Sequence, residues 1–171
     1  MTTIVDGTTG ITFPSTISGV SPTQQYSGRV LQVVSNDTVA AFSTASTSFV
    51  TTGITGSITP TNASSKILVF VNLGSVYNAS TSGQPRWTLY RGATNLGGTA
   101  GGVSDNFGEI YSSAGGIVAS AYFSYLDSPS TTSSVTYKIQ GYNTQNANSG
   151  RLIVNAQTNN QSSITVMEIA A

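Results

Sequence analysis

From residue 29 onward, short apolar runs alternate with polar residues and are broken by turn formers, the signature of β-strands rather than helices. RVLQVVS (29–35) leads to an Asn36-Asp37 turn and then VAAFST (39–44). TSFVTT (47–52) and ITGSITP (54–60) are separated by Gly53. KILVFVNL (66–73) is apolar at successive positions, which predicts a strand buried on both faces. In PRWTLYRG (85–92), Trp87, Leu89 and Arg91 fall on one face and Arg86, Thr88 and Tyr90 on the other. The glycine-rich stretch 95–108 predicts a long loop, and IVASAYFSYLD (117–127) is the longest predicted strand, stopped by Ser128-Pro129. SVTYKIQGY (134–142), RLIVNAQ (151–157) and SSITVMEI (162–169) complete the series.

About eight to ten short strands with polar turns, and no helical periodicity, predict an all-β domain. The expected architecture is an antiparallel β-sandwich, jelly-roll-like in strand count. Residues 1–28 read differently. Asp6-Gly7, Thr9-Gly10, Pro14 and Pro22 interrupt any regular element, so this segment predicts an extended N-terminal arm ahead of a sandwich domain over 29–171. Ile4, Val5, Ile11 and Phe13 are its apolar side chains. They pack either on the arm's own domain or on a neighbouring molecule, and the second option makes them candidate anchors.

Composition then narrows the function. Hydrophobic residues form 38% of the 171, enough for a core, whereas charge is scarce: six Lys/Arg and six Asp/Glu, with no His and no Cys. The basic residues Arg29, Lys66, Arg86, Arg91, Lys138 and Arg151 are scattered singly, so no basic patch for nucleic-acid phosphates is expected. The N-terminal ten residues lack a basic stretch followed by an apolar run, so no secretory signal is expected. Nor does any apolar run approach the roughly 20 residues of a membrane helix, so no membrane partner is expected. A near-neutral chain repels its own copies weakly, a property that suits dense assembly.

Without His or Cys, the Ser-His-Asp and Cys-His arrangements and the usual zinc ligand sets are impossible. Asp105 and Glu109 are the one local pair of carboxylates, and acids in such loops are usually solvated. Asp127 reads as a turn acid accepting from nearby backbone, and Glu168 as a strand acid paired with a basic residue. No calcium-loop pattern occurs, and Gly97-Gly98 lacks the Lys-Ser/Thr and helix of a phosphate loop. Neither catalytic residues nor a cofactor or metal is therefore expected. Arg86, Trp87 and Tyr90 form an aromatic-plus-Arg group that suits an interface or glycan contact, against the plainer reading that Trp87 is core. Four Asn-x-Ser/Thr matches, at Asn36, Asn62, Asn78 and Asn160, are at the level expected by chance in so Asn- and Ser-rich a chain.

The phrase IVDGTTGITFP near the N-terminus resembles segments of structural proteins of tailed bacteriophages, fibre-like and head-surface proteins especially. WTLYRGATNLGG (87–98), FSYLDSPSTTSSVTYKIQGY (123–142) and SSITVMEIAA (162–171) resemble a β-domain of such virion proteins, cyanophage ones among them. The resemblance implies a non-enzymatic β-sandwich that assembles as a homotrimer on the outer surface of the particle. The expected partners are then other copies of the chain and the major capsid protein or another virion protein. A short arm running directly into one domain, with no repetitive shaft, favours a capsid decoration (cement) protein. The alternative is a short tail fibre or receptor-binding tip that recognises a host surface glycan.

Overall fold

A computed structural model describes residues 4–6, 10–12, 27–78, 83–98, 106–111, 116–145, 152–155, 157 and 160–171. Thirteen strands and no helix occur among them. In chain order they are β1 (Ile4–Asp6), β2 (Gly10–Thr12), β3 (Val30–Thr38), β4 (Phe42–Thr44), β5 (Val50–Ile58), β6 (Lys66–Asn78) and β7 (Pro85–Arg91). There follow β8 (Thr94–Asn95), β9 (Gly108–Glu109), β10 (Ile117–Asp127), β11 (Val135–Asn143), β12 (Leu152–Val154) and β13 (Ser162–Ile169). Every pairing is antiparallel.

Two sheets enclose one core. The first runs β3-β13-β6-β12-β4, with β10 on the other edge of β6; the second runs β5-β11-β7-β8, with β9 also on β7. The first contributes Ile67, Val69, Val71, Leu73, Val76, Leu152, Val154, Ile164 and Val166 to a single buried cluster, and the second Ile54, Ile58, Trp87, Leu89, Tyr137 and Ile139. Strand alternation produces this: in SSITVMEI, positions 164, 166 and 168 turn inward while 163, 165 and 167 turn outward.

Strand β6 organises the first sheet. It pairs with β10 along nearly its whole length on one side; on the other, its first half takes β13 and its last three residues take β12. Between Ala119↔Val76 and Ala121↔Leu73, β6 uses three residue steps where β10 uses two, a β-bulge at Gly74-Ser75. Gly74 N donates to Ser162 Oγ (3.1 Å), and Gly74 O accepts from Ser120 Oγ (2.7 Å). A Cβ on Gly74 would collide with the backbone carbonyl of Gln161. The bulge rephases the strand, so Val76 and Asn78 point inward after Leu73 does.

Several expected boundaries move. Asn36-Asp37 is not a turn: β3 continues through it to Thr38, because Asn36 Nδ2 donates to Thr55 O (2.9 Å) and pairing with β13 persists. Gly53 does not separate two strands. Its φ of +89° accommodates an irregularity within one continuous β5, where four residue steps oppose two on β11. Segment 66–73 is buried on one face only, since Phe70 is 45% exposed. Strand β6, at 13 residues, is longer than the 11-residue β10. Within residues 1–28, β1 pairs with β2 as Ile4↔Thr12, Val5↔Ile11 and Asp6↔Gly10, while Phe13 lies outside the described residues.

Replacing Gly74 with Ala is expected to cost about 1–3 kcal/mol, because the Gln161 backbone cannot yield as a side chain would. Urea denaturation of Gly74→Ala against the parent checks this; an unchanged midpoint would refute the tight approach of β6 to the β13 entry.

Candidate functional site

Of the four candidate anchors, Ile4, Val5 and Ile11 lie in the β1–β2 pair. The aromatic-plus-Arg group on β7 divides. Trp87 is 5% exposed and turns into the core, where its ring lies over Gly108 so closely that a Cβ there would overlap it. Arg86 and Tyr90 lie on the opposite side of the strand. There the Arg86 guanidinium is already engaged: Nε donates to Glu109 Oε2 (2.9 Å), Nη1 to Tyr142 Oη (3.1 Å) and Nη2 to Gln84 Oε1 (3.1 Å). Burial works against its charge, but Tyr142 and Glu109 outweigh that and raise its pKa. Phe49 packs edge-on against both Tyr142 (ring centroids 4.6 Å apart) and Tyr90 (5.9 Å). This surface is therefore largely satisfied by itself.

The carboxylates are likewise committed. Glu109 is held by Arg86, and its sequence neighbour Asp105 lies outside the described residues. Asp127, expected to accept from turn backbone, instead joins the two sheets. Arg91 Nη1 donates to both of its oxygens (2.9 and 2.8 Å), and the fully buried Tyr137 donates from Oη to Oδ2 (2.6 Å). Burial, followed by the hydrogen bond to Asp127, pushes the Tyr137 hydroxyl far above its ordinary pKa, so it stays a donor. The sequence hint was the inward phase of Arg91 beside Trp87 and Leu89, a charge that needs an inward partner.

Glu168, expected to meet a basic residue, is fully buried and held by neutral donors. Gln32 Nε2 donates to Oε2 (2.6 Å), and Thr61 N and Oγ1 both donate to Oε1 (2.8 Å each). Gln32 Nε2 also donates to Thr59 O (2.7 Å), so one amide ties β3 to the strand end after β5 and to Glu168 on β13. Burial alone would raise the Glu168 pKa, but the hydrogen bonds led by Gln32 and Thr61 bring it down to about 2. Among the described residues no three acidic side chains converge as metal ligands would. Asn78 is fully buried, and its amide donates to Gly83 O (2.9 Å).

The open feature is the outer face of the first sheet. The register aligns Val33, Met167, Leu68 and Leu126 in one row across β3, β13, β6 and β10. Val33 is 53% and Leu126 51% exposed, and no charged side chain interrupts the row. The sequence signal for it was present in the alternating partners of the core positions, but a two-sided reading of 66–73 hid it.

The Glu168 site makes stability depend on acid. Its folded pKa lies below the ordinary value of 4.5, so its contribution is complete above pH 4.5 and is lost as the pH falls toward 2. The protein is expected to lose about 2–3 kcal/mol over that window from this residue. Glu168→Gln should be weaker at neutral pH and show a flatter acid slope. Parallel denaturation curves for parent and variant from pH 5 to pH 2 would refute the assignment. Tyr137→Phe, which strips one donor from Asp127, is expected to cost about 1–3 kcal/mol in the same assay.

No protein-family model matches the chain, and no curated protein matches it at a significant level.

Proposed function

We propose that this chain is a non-enzymatic structural protein of a phage virion. In this reading it is a capsid decoration (cement) protein, displayed as a homotrimer on the head exterior and stabilising the shell by contact with the major capsid protein. The carrying observation is the uncharged apolar row Val33–Met167–Leu68–Leu126, set on a rigid sheet whose own core is already complete. Such a row loses little by being covered and gains from the removal of apolar surface from water. The zero net charge adds no repulsion between copies. Commitment of Glu109, Asp127 and Glu168 to structural partners supports a role without catalysis. The two antiparallel sheets around one core support a sandwich of jelly-roll type.

The arm, residues 1–28, is the proposed tether, with Ile4, Val5, Ile11 and Phe13 as its apolar contacts; three tethers per trimer make weak contacts act together. A second reading, a short tail fibre or receptor-binding tip, is favoured by the exposed Phe70 and Tyr122 on the same outer face.

Light scattering of the purified protein is expected to give the mass of three chains, and Leu126→Asp is expected to shift it toward one. A monomer at all concentrations would overturn the self-association reading, and a trimer indifferent to Leu126→Asp would remove the apolar row from its interface. Deleting residues 1–25 is expected to abolish binding to undecorated capsids while leaving the trimer folded; undiminished binding would remove the arm from the anchoring role. Density for the domain at tail tips rather than on heads of intact virions would replace the decoration reading by the fibre one.

A further inference from the structure

Beside the apolar row, the same sheet face changes character. The next two rows are Thr165–Phe70–Ser124 and Ser163–Asn72–Tyr122, each crossing β13, β6 and β10. These six side chains line a shallow open groove of about 380 Å³. That volume lies at the low end of small-ligand sites, ~300–1,000 Å³.

Two properties recommend this groove as a site. First, two of its rings, Phe70 and Tyr122, are free, while Phe123, which also lines it, is packed on Phe107. Phe49 contacts Tyr90 and Tyr142, and Phe107 contacts Phe123 and Tyr125, whereas Phe70 and Tyr122 touch no other ring among the described residues. Phe70 is 45% and Tyr122 73% exposed, so each offers an open face. Second, its polar groups are unspent. Thr165 shares a hydrogen bond with Ser35 (2.8 Å), but the Ser124, Ser163 and Tyr122 hydroxyls and the Asn72 amide bond to no described residue. Asn72 Oδ1 is moreover buried without a donor, so its amide is not committed elsewhere in the fold.

No lining side chain is charged. The nearest acid in register, Asp37 at the end of the Ser163 row, is already engaged by Gln161. An anionic or cationic ligand would lose its hydration without a counter-charge. A ligand matching free aromatic faces and uncommitted hydroxyl and amide groups has one apolar face and a rim of neutral hydroxyls. We propose that this groove is a binding site for neutral glycans: a hexopyranose stacks its C–H face on Phe70 or Tyr122, and its hydroxyls bond to Asn72, Ser124 and Ser163. Because the groove is open rather than enclosed, it accepts internal units of a chain. The inference goes beyond the virion role and holds for a head or a tail position alike.

The test uses the full-length protein on an array of neutral oligosaccharides (gluco-, galacto- and manno-configured) with sialylated and sulfated ones as the charged arm. Any neutral hit is then titrated by protein NMR. The expected result is binding of at least one neutral series, weakened tenfold or more by Tyr122→Ala and by Phe70→Ala. Tyr111→Ala, which removes an exposed ring elsewhere, should leave it unchanged. Melting temperature and light-scattering mass are recorded for each variant, so that unfolding or lost assembly is told apart from lost binding. The proposal fails if no neutral glycan binds, if only anionic ones bind, or if binding survives both ring deletions. It also fails if folded Tyr122→Ala loses self-association while no glycan is bound, since the groove is then an interface between copies. None of these outcomes bears on whether the arm binds capsids.

Discussion

Everything in the first sheet depends on β6 being able to serve three neighbours at once. A 13-residue strand with β10 on one side must hand its other side from β13 to β12, and a regular strand cannot do so without putting Val76 or Leu73 on the wrong face. The bulge at Gly74-Ser75 absorbs the mismatch, and only a residue without Cβ fits there against the Gln161 carbonyl. The bulge thus keeps Leu73, Val76, Leu152 and Val154 in the same core. It also leaves the stretch before it, with Leu68, Phe70 and Asn72 on the outer face, in regular register with both β10 and β13.

Charge is so scarce that each buried ionised group has a recognisable task. Asp127 joins the end of β10 to Arg91 on β7 and Tyr137 on β11, so the two sheets meet through one carboxylate. Glu168 does the same at the opposite side with neutral donors, gathering β3 and the segment after β5. Removing either acid would strand its donors in the interior, the larger part of the cost of breaking such a group. In a chain without disulfides these two polar ties fix the way the sheets face each other, a specificity that apolar packing alone supplies poorly.

The all-β class was legible because alternation survives in almost every strand; in SSITVMEI and SVTYKIQGY inward and outward residues alternate along the whole segment. Continuity was less legible. Asn36-Asp37 and Gly53 carry turn chemistry, yet cross-strand pairing overrides local preference at both. The outer-face rows were hidden for a related reason. In KILVFVNL the outward residues Leu68 and Phe70 are as apolar as the inward ones, so periodicity vanishes where the surface itself is hydrophobic. Asn72 was the one polar interruption, and it marks the groove. The Asp127–Arg91–Tyr137 group joins residues up to 46 positions apart, beyond any local pattern.

The apolar row and the groove lie only one pleat repeat apart, two residues or roughly 7 Å along each strand. A partner molecule that covers Leu68 and Leu126 must therefore end at, or lean over, Phe70 and Ser124. If both proposals hold, how far an interface extends over this face decides whether assembly and ligand binding are coupled. Either the groove becomes the rim of an interface, where a second copy lends a wall to an otherwise shallow site, or the interface stops short and leaves it open. In the first case trimer formation would tighten glycan binding, and by linkage a bound glycan would tighten the trimer to the same degree. A neutral surface makes that coupling insensitive to salt, because hydrogen bonding and burial carry it, not charge. Arg86, the cation that sequence reasoning placed at the contact surface, has no part in it, since its hydrogen bonds are made within the second sheet.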